Sequence, residues 1–141
     1  MNLKKRYSTE RIGEPQTILV VDDEAPVRSY QAQLLASQGY NVLEAESGAE
    51  ALRLAGTATI HLLLTDFLMP DINGLELTRK FRATHPRTPV LLVSGSLPPT
   101  EIRTENLAPF DFLPKPFVFE ELVQKVRALL DAETPFPVRK A

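Results

Sequence analysis

Apolar positions along this chain fall into short runs separated by amphipathic stretches. Thr17–Asp22 (TILVVD), Asn41–Ala45, Ile60–Thr65, Val90–Val93 and Phe110–Leu113 have strand length and few interior polar side chains. Between them the spacing changes to that of helices. Pro26 suits a first helical turn, and Val27–Ser37 carries Val27, Tyr30, Leu34 and Leu35 as its inward stripe, with Gly39 as the stop. Ser47-Gly48-Ala49-Glu50 resembles a capping box, followed by Ala51, Leu52, Leu54 and Ala55 on one face. Asn73-Gly74 precedes a helix over Leu75–Ala83, with Leu75, Leu77 or Thr78, and Phe81 facing in. Pro98-Pro99 opens a short helix, Thr100–Leu107. The last helix, Val118–Leu130, carries Leu122, Val126, Leu129 and Leu130.

Strands therefore alternate with helices five times. That order predicts an α/β fold, a doubly wound parallel sheet with helices on both faces. A sheet covered on both faces also explains why its strands read as continuous apolar runs. The expected organisation is a polar extension over residues 1–16, one domain over 17–132 and a proline-broken tail over 133–141.

Composition narrows the function. Apolar residues make up 43% of 141, enough for a real core. With no cysteine there is no thiolate metal site, disulfide or cysteine nucleophile. No apolar run approaches bilayer-spanning length, and MNLKKRYSTERIGEPQ lacks the apolar centre of a signal peptide, which leads to the expectation of a cytoplasmic protein. Residues 17–132 hold ten basic and fifteen acidic side chains, a balance that argues against a nucleic-acid surface.

The candidate chemistry sits where the strands end. Strand one runs into Asp22-Asp23-Glu24, strand three into Asp66, strand four into Ser94 and strand five toward Lys115. In a parallel sheet those carboxyl ends gather at one edge, where ligands bind. Taken singly, each residue has an ordinary reading: a helix cap for Asp22 and Asp23, a turn for Ser94, a solvated side chain for Lys115. Together they put three carboxylates in one place, whose mutual repulsion a hard divalent cation relieves. A carboxylate, a metal, an ammonium and a hydroxyl suit transfer of a phosphoryl group to a carboxylate oxygen. His61 and His85 have no such supporting set and read as ordinary residues.

The segments VVDDE (20–24), LLLTD (62–66), MPDINGLEL (69–77), LLVSG (91–95) and FLPKPF (112–117) resemble the response-regulator receiver domains of two-component signalling, the CheY-like family. The resemblance implies a flavodoxin-like sheet of order 2-1-3-4-5. It implies Asp66 as phosphoacceptor, with Lys115 and Ser94 assisting. Mg2+, with Mn2+ able to substitute, would be held by Asp22, Asp23, Asp66 and the carbonyl of Leu68. Ser94 and Phe112 would form the conformational switch. Phe112, lacking a phenolic hydroxyl, is expected to pack inward before activation. The Lys115–Pro116 bond is expected to be cis.

The implied partners are a histidine kinase or histidine phosphotransfer domain and a downstream effector protein, without nucleic acid or membrane insertion. Ser94-Gly95-Ser96 and FLPKPF look more like receivers of hybrid histidine kinases than like free regulators. Two alternatives remain. One is a pseudo-receiver that docks without phosphorylation. The other is an aspartate-based phosphatase, for which Phe67 and Leu68 supply no acid–base group beside Asp66.

Overall fold

The computed structural model describes residues 14–95 and 109–133. Five parallel strands form one sheet: β1 (Thr17–Val21), β2 (Asn41–Ala45), β3 (Leu62–Asp66), β4 (Val90–Ser94) and β5 (Phe110–Pro114). Their spatial order is β2-β1-β3-β4-β5, the expected 2-1-3-4-5. Four helices accompany them among the described residues: α1 (Ala25–Ser37), α2 (Gly48–Ala55), α3 (Gly74–Thr84) and α4 (Phe119–Glu133). The helix expected at Thr100–Leu107 lies outside the described residues, as do most of the N-terminal extension and the C-terminal tail.

Side-chain alternation divides the core in two. Ile18, Val20, Leu62, Leu64, Leu91, Val93 and Leu113 face Leu35 of α1 and Leu122, Val126, Leu129 and Leu130 of α4. Leu19, Val21, Leu63 and Val90 face Ala51 and Ala55 of α2 and Leu77 and Phe81 of α3. The three central strands, β1, β3 and β4, thus need apolar residues at successive positions. Burying one leucine side chain this fully contributes about 1.5–3 kcal/mol.

The helix ends follow the local sequence. Asn73 caps α3 by accepting the Glu76 N–H at 2.8 Å. Ser47 caps α2 by accepting the Glu50 N–H at 3.1 Å. The expected capping box is displaced by one residue, because the Glu50 carboxylate accepts from the Glu46 N–H instead of closing on Ser47. At the end of α1, Gly39 has φ +99°, a conformation that favours glycine. The Gly39 and Tyr40 N–H groups return to the carbonyls of Ala36 and Leu35, as in a Schellman turn.

The inward face of α1 differs from the expected stripe. Gln31, Ala32 and Leu35 are buried, Val27 and Leu34 only partly so, and Tyr30 is 60% exposed. The polar side chain of Arg28 reaches inward from this helix, so its rotation follows polar contacts as well as the apolar spacing.

Candidate functional site

The sheet order reverses about β1, whose two neighbours are β2 and β3. A crevice therefore opens beyond the carboxyl ends of β1 and β3. Asp22 and Asp23 follow β1 directly, and Asp66 is the last residue of β3. One oxygen from each of these three carboxylates falls in a group spanning no more than 4.8 Å. Asp22 is buried, Asp66 partly buried and Asp23 exposed.

The ladder continues past the strands and fixes the other side of the crevice. The Phe67 N–H donates to the Val93 carbonyl at 2.9 Å, and the Lys115 N–H to the Ser94 carbonyl at 2.7 Å. Lys115 follows β5 directly and its bond to Pro116 is cis, as expected. Its ammonium lies 3.4 Å from Asp66 Oδ1. Ser94 ends β4 and is 1% exposed. The structure thus brings Asp22, Asp23, Asp66, Ser94 and Lys115 to one edge.

The electrostatics follow from this crowding. Burial pushes the Asp66 carboxyl above the usual carboxylate range, and nearby Asp23 adds to the rise. The charge and hydrogen bond of Lys115 and the Phe67 N–H oppose it. Burial likewise raises Asp22, against the hydrogen bond from the Glu24 N–H at 2.9 Å and the charge of Lys115; Asp66 and Asp23 push it up further. Two carboxylates that resist ionisation beside a third make a site suited to a hard cation. Among the described residues no hydrogen bond engages the Leu68 carbonyl, so the expected main-chain ligand is uncommitted. The donor set fits a divalent metal.

Phe112 is half-buried. The histidines stand away from the carboxylates. His61 Nδ1 accepts the Thr17 N–H at 2.9 Å, at the amino end of the sheet. His85 ends α3 and stacks on Phe81 with ring centroids 4.4 Å apart.

Three contributors escape the strand-end pattern. The Asp71 carboxylate reaches across to the N-terminus of α2, accepting the Gly48 N–H at 3.2 Å and the Ala49 N–H at 2.9 Å. Its carboxyl is held below the usual range: slight burial pushes it up, and these N–H groups with those of Ile72 and of Asp71 itself outweigh that. Gly48 permits the approach, since a Cβ there would stand 2.7 Å from Ile72 Cδ1. Gly74 lets the loop after Asp66 fold back on itself, with its N–H 2.7 Å from the Phe67 carbonyl. Arg28 donates to the Asp22 carbonyl at 2.7 Å and to Glu44 Oε1 at 3.1 Å. A Pro-Asp step and a glycine after Asn73 are visible signals for two of these contacts. Nothing in the spacing of Arg28 marks the third.

Comparison with known proteins agrees with the geometry. Residues 18–127 match the family model of the response regulator receiver domain. The chain is 38% identical over 122 residues to the response regulator MprA of Mycolicibacterium vanbaalenii, an alignment covering 86% of this chain and 53% of that protein. It thus spans about half the length of the curated relatives it matches first. Among solved structures, the receiver domain of the hybrid histidine kinase CckA is similar at 40% identity and a TM-score of 0.69, over 81% of this chain and 98% of that one. The response regulator TrrA of Thermotoga maritima, solved in complex with Mg(2+)-BeF, is 30% identical with a TM-score of 0.73, over 81% and 98% of the two chains.

Proposed function

We propose that this chain, which belongs to the response regulator receiver domain family, accepts a phosphoryl group from a phosphohistidine onto Asp66 and changes conformation in response. The observation that carries the reading is Asp66 itself: a partly buried carboxylate with an ammonium at 3.4 Å and two further carboxylates close by. Receiver domains are not turnover enzymes, and the chemistry here is performed by the chain on its own side chain.

One oxygen of Asp66 forms the new P–O bond as the P–N bond of the donor histidine breaks. The electron pair of that bond stays with the imidazole nitrogen, which is protonated as it leaves. Burial makes the ionised Asp66 a better nucleophile than a solvated carboxylate, and Lys115 favours its ionised form. The Lys115 ammonium also offsets charge on the phosphoryl oxygens, and the Ser94 hydroxyl donates to one of them once the group is in place. Asp22, Asp23, Asp66 and the Leu68 carbonyl would hold Mg2+, or Mn2+ in its place. When bound, the metal supplies positive charge at the phosphoryl oxygens.

The switch is the approach of Ser94 to the phosphoryl group, with Phe112 moving inward behind it. The phosphoryl source is a histidine kinase or phosphotransfer domain, in a cytoplasmic relay. Among the described residues no helix is long and apolar enough to cross a membrane. Similarity to the receiver of the hybrid histidine kinase CckA supports the hybrid-kinase reading, and similarity to the response regulator MprA supports the free-regulator reading.

Incubation with phosphoramidate and Mg2+, followed by intact-mass analysis, tests the reading. One phosphoryl group should be gained, and none by Asp66→Asn or in excess chelator. Undiminished labelling of Asp66→Asn would remove the assignment.

A further inference from the structure

We propose that Arg28 is a positioning residue for the divalent cation: it fixes the acidic loop between β1 and α1 through a two-point clamp that spans Asp22 and Glu44. The inference rests on the metal-site reading above. The loop comprises Asp22, Asp23 and Glu24 alone. Its one exposed cation ligand, Asp23, lies between two residues whose main chains must be held if Asp23 is to be held.

Besides the first helical bond, from the Arg28 N–H to the Glu24 carbonyl at 2.9 Å, three contacts hold them. The Asp22 N–H donates to the Ala45 carbonyl at 3.1 Å. The Glu24 N–H donates to Asp22 Oδ1 at 2.9 Å. Arg28 Nη1 donates to the Asp22 carbonyl at 2.7 Å. Unlike α2 and α3, α1 has no side-chain cap at its N-terminus, so no capping side chain anchors this entry. Arg28 works from inside the helix instead. Its Nε meets Glu44 Oε1 at 3.1 Å, and its side chain is only 16% exposed. Glu44 pairs in register with Val20, which faces α1, so the clamp joins α1, the end of β1 and the end of β2. A planar guanidinium can make both bonds at once, which an ammonium on a flexible stem does poorly. The clamp also accounts for the rotation of α1 that buries Gln31 and leaves Tyr30 exposed.

The sign of the effect separates positioning from charge. A nearby positive group opposes a dication, so if Arg28 acted only through charge, its removal would tighten metal binding. As a positioning residue its removal must weaken binding. Residues that orient metal ligands commonly change affinity by ~10–100-fold when replaced.

Mn2+ binding to the unphosphorylated chain, followed by the loss of the free-ion paramagnetic resonance signal, reads this without phosphoryl transfer. The native chain should bind Mn2+, and Asp23→Ala should not. Arg28→Ala should raise the Kd about 10-fold. Arg28→Lys, which keeps the charge and loses the span, should be at least as weak. Glu44→Ala should also weaken binding, and the double variant should be no worse than Arg28→Ala alone. All titrations are run well below the melting temperatures measured in chelator, so a merely structural loss would lower melting and leave the Kd unchanged. If Arg28→Ala does not fold, Arg28→Lys and Glu44→Ala carry the test. An equal or lower Kd for Arg28→Ala, or full rescue by lysine, overturns the positioning role alone. Absence of Mn2+ binding by the native chain overturns the metal-site reading, and this role with it.

Discussion

Replacing Gly74 by alanine sets two opposed effects against each other at the edge of the site. At an ordinary helix position the change would stabilise by up to about 1 kcal/mol, since glycine is the poorer helix former. Here a Cβ would press into the Asp66 carbonyl oxygen and stand 2.6 Å from Leu92 Cδ1. Leu92 is a flexible neighbour and can give. The Asp66 main chain cannot, because it closes β3 and the next N–H is bonded to Val93 at 2.9 Å. Overpacking typically costs ~1–3 kcal/mol, and a backbone collision belongs at or above the top of that range. The net loss should therefore be about 2 kcal/mol, which lowers a urea midpoint by roughly 1 M at a typical slope. Gly56→Ala is the control. It ends α2 at φ −78°, and its added Cβ would meet nothing closer than the Arg53 carbonyl at 3.5 Å, so stability should stay within about 0.5 kcal/mol. Urea unfolding of both variants in chelator, followed by circular dichroism, measures the contrast. Labelling of Asp66 by phosphoramidate should also slow in Gly74→Ala, since the loop after the phosphoacceptor must shift. A midpoint for Gly74→Ala at or above that of the native chain would refute the close-approach argument.

Three other perturbations follow from the same geometry. The raised carboxyls of Asp22 and Asp66 favour the folded state below the unfolded value of 3.8 and lose that contribution as pH rises through their folded values. Metal-free Asp66→Asn should therefore melt higher than the native chain near neutral pH, and Mg2+ should stabilise it less; equal melting in chelator would count against the crowding. The lowered carboxyl of Asp71 acts in the opposite sense, contributing stability above 3.8 that is lost as pH falls through its folded value, and Asp71→Ala should cost about 1 kcal/mol in urea unfolding at neutral pH. Lys115→Ala should slow phosphoryl transfer by about 10^2–10^3, as expected on losing a group that stabilises developing charge; a rate within twofold of the native chain, by time-resolved intact mass, would exclude that role.

Much of this was legible in the sequence for a specific reason. A doubly covered parallel sheet demands apolar residues at successive strand positions, so the polar residue that ends each run marks the carboxyl edge. Asp22, Asp66 and Ser94 could be assigned to one place without knowing the sheet order, and Lys115 with them. The capping signal at Ser47 worked because it acts within three residues along the chain. Boundaries drifted by one to three residues where a strand or helix continued through a residue of the wrong polarity, as β3 does through Asp66 and α4 through Asp131 to Glu133.

What the pattern could not carry were contacts at right angles to it. Periodicity assigns a helix face by counting apolar residues, and in α1 that count selects Val27, Tyr30, Leu34 and Leu35, of which Leu35 alone is fully buried. The helix also turns Arg28 and Gln31 inward; the guanidinium meets the Asp22 carbonyl six residues back, just past β1, and Glu44 on β2, and a count of apolar residues registers neither. Glu44 is sixteen residues away and Asp71 lies twenty-two from Ala49. Both of these distant contacts are made by carboxylates that would pass for solvated surface charge when read singly. The two contacts brace the loops that present the acidic cluster, one after β1 and one after β3. The groups that meet the phosphoryl end their strands and are therefore readable; the groups that hold them steady come from neighbouring elements and become visible only when the sheet is assembled.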